Sequence, residues 1–190
     1  MAVPAEFLTA RLHLSPPKLA DAPALFAFMG DAEVMQHTYR QESQRDMRRY
    51  IAASAWYARR MGFGCWTVRH QGRVVGFGGL NDDPLEPGYG PEVVYFFTRE
   101  AWGRGFAGEL VNASLGEARR LGLPVVRGFV HPDNAASRRV LERAGFAMER
   151  WVPGLTRWML RRELIATALR APRRILRPDA ATIGFKGVGF

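Results

Sequence analysis

Residues 91–109 read PEVVYFFTREAWGRGFAGE, and this stretch decides the fold. Its first eight residues are rich in Val, Tyr and Phe, which is typical of a central strand. The glycines of residues 102–107 then make a turn, and an apolar stripe at helical spacing follows as far as Gly122. Glycines at such a turn let a ligand approach the backbone, and the free N–H groups of a first helical turn favour phosphate. The stretch therefore predicts a phosphate site; a tight turn with a purely structural role is the alternative.

Apolar spacing outward from this stretch predicts a series of strands and helices. Upstream lie a short strand, two helices and a hairpin, at residues 9–14, 21–29, 42–60 and 64–80. Downstream lie a strand, a helix and two closing strands, at residues 124–130, 134–144, 146–152 and 157–164. Asp21 and Asn134 are placed to cap their helices, Gly145 to end one, and Gln71-Gly72 to turn the hairpin. This order predicts a mixed α/β layer architecture.

Length and composition fit one globular domain. The 190 residues are 47% hydrophobic and 12% aromatic, which is enough for a sizeable core. No stretch approaches the roughly 20 apolar residues that cross a bilayer, and residues 1–12 lack the pattern of a secretory signal. Cys65 is the one cysteine and is expected to lie in the core. We therefore expect a cytoplasmic protein with a single domain at residues 1–165 and a C-terminal extension at 166–190.

The net charge of +9 is concentrated near the end of the chain. Residues 151–190 carry eight basic and two acidic side chains, a net of +6. Four of these basic residues are Arg170, Arg173, Arg174 and Arg177. A basic extension raises the affinity for any polyanion, whether a CoA phosphate, RNA or a membrane surface, and does not choose among them. Ribosome or RNA association through residues 166–190 is therefore one expectation, and no membrane partner is predicted.

Three ordered motifs connect the sequence with a known family. Residues 9–14 fit T-x-R-L-x-L, residues 102–109 fit W-G-x-G-[YF]-A-x-E, and residues 132–146 fit P-x-N-x-x-S-x-x-[VL]-L-x-[RK]-x-G-F. On these motifs the chain resembles the GNAT N-acetyltransferases, particularly the branch that acetylates the N-termini of ribosomal proteins. The resemblance runs from about residue 7 to about residue 164. It departs at Glu100, where many members carry Gln or Arg, and this carboxylate would repel phosphates if it faced them.

The resemblance implies a splayed, mostly antiparallel twisted sheet of about seven strands flanked by about four helices. Acetyl-CoA would enter where strand 92–98 parts from strand 124–130, with its pantetheine arm beside Phe97 and Thr98. The other cofactor contacts that the resemblance implies are Trp102, Gly103, Arg104, Gly105, Phe106, Ala107, Asn134 and Ser137. The pyrophosphate would lie on the backbone amides of the turn, which agrees with the phosphate site predicted from the turn itself.

Acetyl transfer requires an amine that has lost a proton, donors for the oxyanion and an acid for the leaving thiolate. Glu92 is the candidate base because it opens the central strand beside the splay; a strand-end carboxylate without a catalytic role is the alternative. The resemblance implies that Ser137 donates to the departing sulfur, and Tyr95 is an alternative acid. His131, at a strand end before a proline, is a further candidate base.

The pKa of the acceptor amine separates two acceptor classes. An α-amine has a pKa of about 7.7–8.0 and a lysine about 10.4, so deprotonation at pH 7.5 costs about 0.5 and about 4 kcal/mol, respectively. This difference and the branch resemblance favour a protein N-terminal α-amine over a small amine such as a polyamine, antibiotic or amino-acid derivative. The resemblance implies that the loop with Asp82, Asp83 and Glu86 borders the acceptor side and attracts such an ammonium group; an ordinary solvated turn is the alternative.

Several alternatives stay open on the sequence alone. A CoA-binding or nucleic-acid-associating protein without turnover is the alternative function, because of Glu100 and the basic extension. A homodimer is the alternative to a monomer. No metal site is predicted, because no metal-ligand spacing occurs among His13, His37, His70 and His131.

Overall fold

The computed structural model describes residues 6–82 and 88–164, so the predicted extension at 166–190 and the acidic residues Asp83 and Glu86 lie outside the described residues. The strands are β1 (Phe7–Leu8), β2 (His13–Ser15), β3 (Cys65–His70), β4 (Arg73–Asn81), β5 (Glu92–Phe97), β6 (Val125–Val130), β7 (Ala147–Val152) and β8 (Arg157–Glu163). The helices are α1 (Ala22–Met29), α2 (Gln44–Met61), α3 (Phe106–Arg120) and α4 (Ala135–Arg143).

The eight strands form one sheet in the order β1-β2-β3-β4-β5-β6-β8-β7. Neighbouring strands are antiparallel except β5 and β6, which run parallel. The chain passes from β5 to β6 through α3, since a parallel pair needs a long crossover. β5 and β6 pair at a single register position, Glu92 against Arg127. The sheet is therefore splayed between these strands, which confirms the predicted mixed fold.

Helices cover both faces of the sheet. On one face, Leu25 of α1 and Ile51 of α2 pack with Phe77 of β4. On the other face, Leu110 of α3 packs with Trp66 of β3. Phe77 pairs with the residue that follows Trp66, and neighbouring strand positions project to opposite faces, so the two rings separate the two layers. The β3–β5 part of the sheet is thus packed on both faces beside the splayed edge.

The predicted strand at residues 9–14 is wrong in its first half. The Thr9 N–H donates to the Leu12 carbonyl at 2.9 Å, and the Leu12 N–H donates back to the Thr9 hydroxyl at 2.9 Å. A threonine side chain that bonds nearby backbone in this way offers the chain an alternative to a sheet ladder. The segment therefore turns between β1 and β2, which adds an eighth strand to the about seven predicted.

Asp21 occupies the N-cap position of α1, but its side chain does not cap the helix. Its carboxylate instead accepts the Thr67 hydroxyl at 2.9 Å, the Lys18 N–H at 2.9 Å and the Arg69 guanidinium. Asp21 is buried, and a buried charge is tolerated where ion pairs and hydrogen bonds satisfy it. The partners on β3 therefore replace the helix N–H groups and tie the start of α1 to the sheet.

Candidate functional site

The splay opens a cavity of about 820 Å³ between the two parts of the sheet. β5 runs along it, the first turn of α3 and part of α4 line one end, and residues 34–39 and 41 before α2 line the other. We call these the helix end and the loop end of the cavity. The two ends share one continuous space, so ligands at both ends would meet beside β5.

The turn from β5 into α3 builds the helix end. Gly105 is the N-cap residue of α3 and has a φ of +79°, a left-handed conformation that favours glycine. The first bond of the helix runs from the Glu109 N–H to the Gly105 carbonyl at 3.2 Å. The N–H groups of Phe106, Ala107 and Gly108 therefore have no partner within the helix, and all three residues line the cavity. Such a helix start, with its positive dipole end, suits phosphate groups.

The helix end also has room for a phosphate. A Cβ atom built on Gly103 or Gly108 would meet no heavy atom within 4 Å. Both glycines line the cavity, so the backbone of the turn is open to a ligand. The turn therefore has the space and the unpaired N–H groups that could hold a phosphate group.

Three residues singled out near the turn lie outside the cavity lining. Glu100 is exposed and does not line the cavity, so the departure from the family pattern places no carboxylate at the predicted phosphate site. The Arg104 guanidinium lies 3.2 Å from Nε2 of His70 and points away from the cavity. The Thr98 N–H is already used, because it donates to the Val75 carbonyl at 2.9 Å.

Glu109 joins the first and second sequence motifs. Its carboxylate accepts the Thr9 hydroxyl at 2.5 Å, the Arg11 backbone N–H at 2.8 Å and the Arg11 Nε at 2.8 Å. Arg11 Nη1 also donates to the Arg104 carbonyl at 2.8 Å. Burial alone would raise the pKa of Glu109, but the bonds from Thr9 and Arg11 outweigh it and lower this pKa. The N-terminal segment thereby fixes the turn before α3.

The open edge of β5 offers backbone groups to an extended ligand. The Thr98 N–H points to β4, and backbone direction alternates along a strand, so Tyr95 and Phe97 direct their N–H and C=O groups towards the splay. The Trp102 indole N–H donates to the Phe97 carbonyl at 3.0 Å. The edge therefore presents both backbone groups of Tyr95 and the N–H of Phe97 next to the helix end.

Tyr95 lies where β5 meets α4. Its hydroxyl is 2.8 Å from the Ser137 Oγ and donates to the Ser137 carbonyl at 3.2 Å. Asn134 caps α4 as predicted, since its Oδ1 accepts the Ser137 N–H at 2.9 Å. Burial raises the pKa of Tyr95 to about 12, against a smaller lowering by the Ser137 hydrogen bond. The fold thus brings three of the predicted residues together, and Tyr95 keeps its proton at neutral pH.

A carboxylate and a guanidinium share the loop end. Glu92 stands at the start of β5, where Asn81 Nδ2 donates to its Oε1 at 3.1 Å. Arg157, at the start of β8, is half-buried and donates to the His37 carbonyl at 2.7 Å. Burial lowers the pKa of Arg157, while the nearby Tyr39 and Glu92 act to raise it.

Two histidines also stand at the loop end. The rings of His37 and His131 are stacked, with centroids 5.2 Å apart and planes at 25°. His131 immediately follows β6, at the strand end where it was predicted, whereas nothing in the sequence marked His37 or Arg157 as site residues. No motif contains them, and only the topology of the sheet brings residues 37, 131 and 157 to one place.

The described part of the chain offers neither a cluster of metal ligands nor a reactive thiol. Within residues 6–82 and 88–164, no three His, Cys, Asp or Glu side chains lie close enough to hold a metal ion. Cys65 is buried, and burial raises the pKa of its thiol, so it is inert as a nucleophile. None of the helices in these ranges has the length and apolar character needed to cross a membrane.

Known proteins share this sequence pattern and fold. The family pattern of the acetyltransferase (GNAT) domain matches residues 11–147. The uncharacterized protein YkkB of Bacillus subtilis (strain 168) is 26% identical over 146 residues, which cover 74% of this chain and 84% of that protein.

Solved structures agree with the sequence match. The acetyltransferase from Agrobacterium tumefaciens str. C58 has a TM-score of 0.73 at 26% identity, covering 84% of this chain and 95% of that one. RimL, a ribosomal L7/L12 alpha-N-protein acetyltransferase solved with coenzyme A, has a TM-score of 0.68 at 18% identity, covering 83% of this chain and 97% of its own. The chain therefore belongs to the GNAT family and is an acetyl-CoA-dependent N-acetyltransferase.

Proposed function

We propose that the acceptor of this N-acetyltransferase is the α-amine of a peptide or protein N-terminus, which attacks the acetyl thioester directly. The observation that carries this proposal is the single cavity that runs from the first turn of α3, past Tyr95, to the loop end. One continuous space lets a donor and an acceptor lie side by side, as direct attack requires. No covalent intermediate on the protein is then needed.

The helix end and the β5 edge are suited to hold the cofactor. The free N–H groups of Phe106, Ala107 and Gly108 suit its pyrophosphate, and Tyr95 and Phe97 can pair with the amides of its pantetheine arm. Acetyl-CoA supplies an acetyl group that is activated as a thioester. This placement sets the acetyl group beside the middle of β5, next to the Tyr95 hydroxyl.

Tyr95 is proposed as the acid for the leaving sulfur, and Ser137 as the residue that orients it. The pKa of Tyr95, raised to about 12 by burial, keeps its hydroxyl protonated and able to donate throughout the neutral range. The Ser137 Oγ, at 2.8 Å, fixes the direction of that hydroxyl. Ser137 is itself held by the cap of α4, so the acid is positioned by regular structure.

The loop end supports an amine acceptor. The Glu92 carboxylate can attract an ammonium group to the mouth of the β5 edge, where charges are partly shielded from water. An α-amine needs only about 0.5 kcal/mol to lose its proton at pH 7.5, about 3.5 kcal/mol less than lysine, so a single weak base is sufficient. The shared fold with RimL, whose name states α-N-acetylation of a protein, supports the same acceptor class.

The acceptor class is tested with three probes: lysine-free peptides with free N-termini, N-terminally blocked peptides with one lysine, and spermidine. We expect the free α-amines to be acetylated at least tenfold faster than the lysine peptides and spermidine. The amines of these two probes are far less deprotonated at pH 7.5 than an α-amine is. Mass spectrometry locates the acetyl group, and thiol release gives the rate. Preferred acetylation of spermidine or of lysine side chains would contradict an α-amine acceptor.

The Glu109→Gln variant is expected to bind acetyl-CoA about tenfold more weakly, because the neutral amide loses about 1–2 kcal/mol of charge-assisted bonding to Arg11. The turn before α3 is then less well fixed. Calorimetric titration measures the Kd. Glu42→Gln is the matched control, since the ion pair of Glu42 with Arg40 is exposed and Glu42 does not line the cavity. Equal affinities for the two variants would rule out a positioning role for Glu109.

A further inference from the structure

Two stacked histidines at the loop end lie outside the three sequence motifs. His37 belongs to the turn segment between α1 and α2, and His131 immediately follows β6. Their ring centroids are 5.2 Å apart, and both residues line the cavity together with Glu92 and Tyr95. We propose that His37 is the base that takes the proton from the acceptor's ammonium group and that His131 is its positioning partner.

The hydrogen bonds distinguish the two rings. The Nδ1 of His131 accepts the Asp133 backbone N–H at 3.3 Å, so the hydrogen of its neutral ring lies on Nε2. Within the described part of the chain, neither ring nitrogen of His37 has a hydrogen-bond partner, and its main-chain carbonyl is held by Arg157. His37 therefore keeps a free lone pair on a backbone that is fixed, which is what a base requires.

The charges around His37 keep its ring unprotonated. Burial lowers the pKa of His37. The nearby His131 and Arg157 lower this pKa further, and Asp133 acts to raise it. Tyr39 and Glu92 also interact with the Arg157 guanidinium through their charges. A second imidazole and a guanidinium disfavour another positive charge, so His37 is neutral at pH 7 and ready to accept a proton.

The proton balance of this step is complete. The ammonium group gives one proton to a ring nitrogen of His37, which becomes imidazolium, and the freed lone pair attacks the thioester carbonyl. The C–N bond forms and the C–S bond breaks; the sulfur takes a proton from Tyr95, and Tyr95 is restored by the second proton of the amine. His37 then returns its proton to solvent through the half-buried loop end. This inference rests on the proposed amine acceptor.

The pH dependence of His37→Asn tests the base. With the lysine-free peptides, wild-type kcat/KM is expected to stay nearly constant from about pH 6.5 to pH 8. The His37→Asn variant must use amine that is already neutral. Its kcat/KM at pH 6.5 should therefore be about 30-fold below the wild-type value and should rise about tenfold per pH unit towards the α-amine pKa. His13→Asn is the matched control, because His13 is exposed and outside the cavity. A His37→Asn profile parallel to that of the wild type would overturn the proposal.

His131→Asn tests the positioning partner by a second readout. Titration of the ring protons by NMR, with no acceptor present, should show His37 below its usual pKa of about 6.5 in the wild type and closer to it in His131→Asn. In His131→Asn, the acidic limb of the pH profile of kcat/KM should shift to higher pH by the same interval as the His37 pKa. No change in the His37 titration would contradict the pairing of the two rings.

Failure of the acceptor proposal is separable from failure of the base. If the wild-type enzyme acetylates spermidine and none of the peptides, the α-amine acceptor is wrong, and the comparison of His37→Asn with the wild type is made on spermidine. A steeper pH dependence of the variant on either amine supports His37 as the base. Equal dependence on the amine that is used contradicts it.

Discussion

Gly108→Glu is expected to weaken acetyl-CoA binding at least about 100-fold, equivalent to about 2.7 kcal/mol, while the protein stays fully folded. Gly108 is the third residue of α3 and lines the helix end of the cavity. A Cβ there meets no atom within 4 Å, so a side chain fits the protein and occupies only ligand space. Its carboxylate would stand where the helix start attracts phosphate.

Stability should not fall in this variant, which makes the test sharp. Replacing a helical glycine gains up to about 1 kcal/mol, and a glutamate in the first turn is favoured by the helix dipole. Glutamate is also a preferred residue at the third helical position. Urea unfolding should therefore give a midpoint equal to or above that of the wild type, and calorimetry of the same sample measures acetyl-CoA binding.

Gly116→Glu is the matched control. Gly116 lies two turns further along α3, is exposed, and also has no atom within 4 Å of a built Cβ. The same substitution there adds the same charge and the same helix propensity outside the cavity. Wild-type affinity in Gly116→Glu together with lost affinity in Gly108→Glu would locate the phosphates. Wild-type affinity in both variants would show that the phosphates do not bind at the first turn of α3.

Local signals in the sequence predict several turns and one helix cap correctly. The glycines of residues 102–107, the hairpin turn at Gln71-Gly72 and the Asn134 cap each depend on a few adjacent residues. Backbone conformation and unpaired N–H groups follow directly from such short patterns. The backbone conformation of the turn before α3 is therefore accessible from sequence before any tertiary contact is known.

Tertiary contacts override the local pattern elsewhere. Thr9 fits an alternating strand, yet its hydroxyl bonds the Leu12 N–H and the Glu109 carboxylate. Asp21 fits a helix cap, yet its carboxylate bonds Thr67 and Arg69 on a strand more than forty residues away. In both cases a partner distant in sequence offers a better hydrogen bond than the local backbone, and no local pattern contains that partner.

The loop end depends entirely on such distant contacts. His37 comes from the segment before α2, His131 from the end of β6, and Arg157 from the start of β8. Each residue alone resembles an ordinary surface residue, because the information lies in the strand order that places β6 beside β5 and β8. The loop end is therefore harder to predict from sequence than the turn before α3, whose pattern is local.

Tyr95→Phe is expected to lower the single-turnover rate of acetyl transfer about 100- to 1,000-fold, while the Kd for acetyl-CoA changes less than about twofold. The variant keeps the aromatic ring at position 95 and removes only the hydroxyl that faces Ser137. Loss of that hydrogen bond costs only about 1 kcal/mol of stability. Single turnover is the measurement because it isolates chemistry from product release.

The pH dependence and a matched control decide whether the hydroxyl acts as an acid. With a pKa near 12, Tyr95 stays protonated, so the wild-type rate should show no alkaline decline from its ionisation between about pH 7 and pH 10. Tyr57→Phe removes a hydroxyl from α2 outside the cavity and should react at the wild-type rate. Ser137→Ala should lower the single-turnover rate about tenfold, because the Tyr95 hydroxyl remains but is no longer oriented by the Ser137 Oγ. A Tyr95→Phe variant as fast as Tyr57→Phe would instead mean that the thiolate leaves without a proton from the protein, and Ser137 would have no acid to orient.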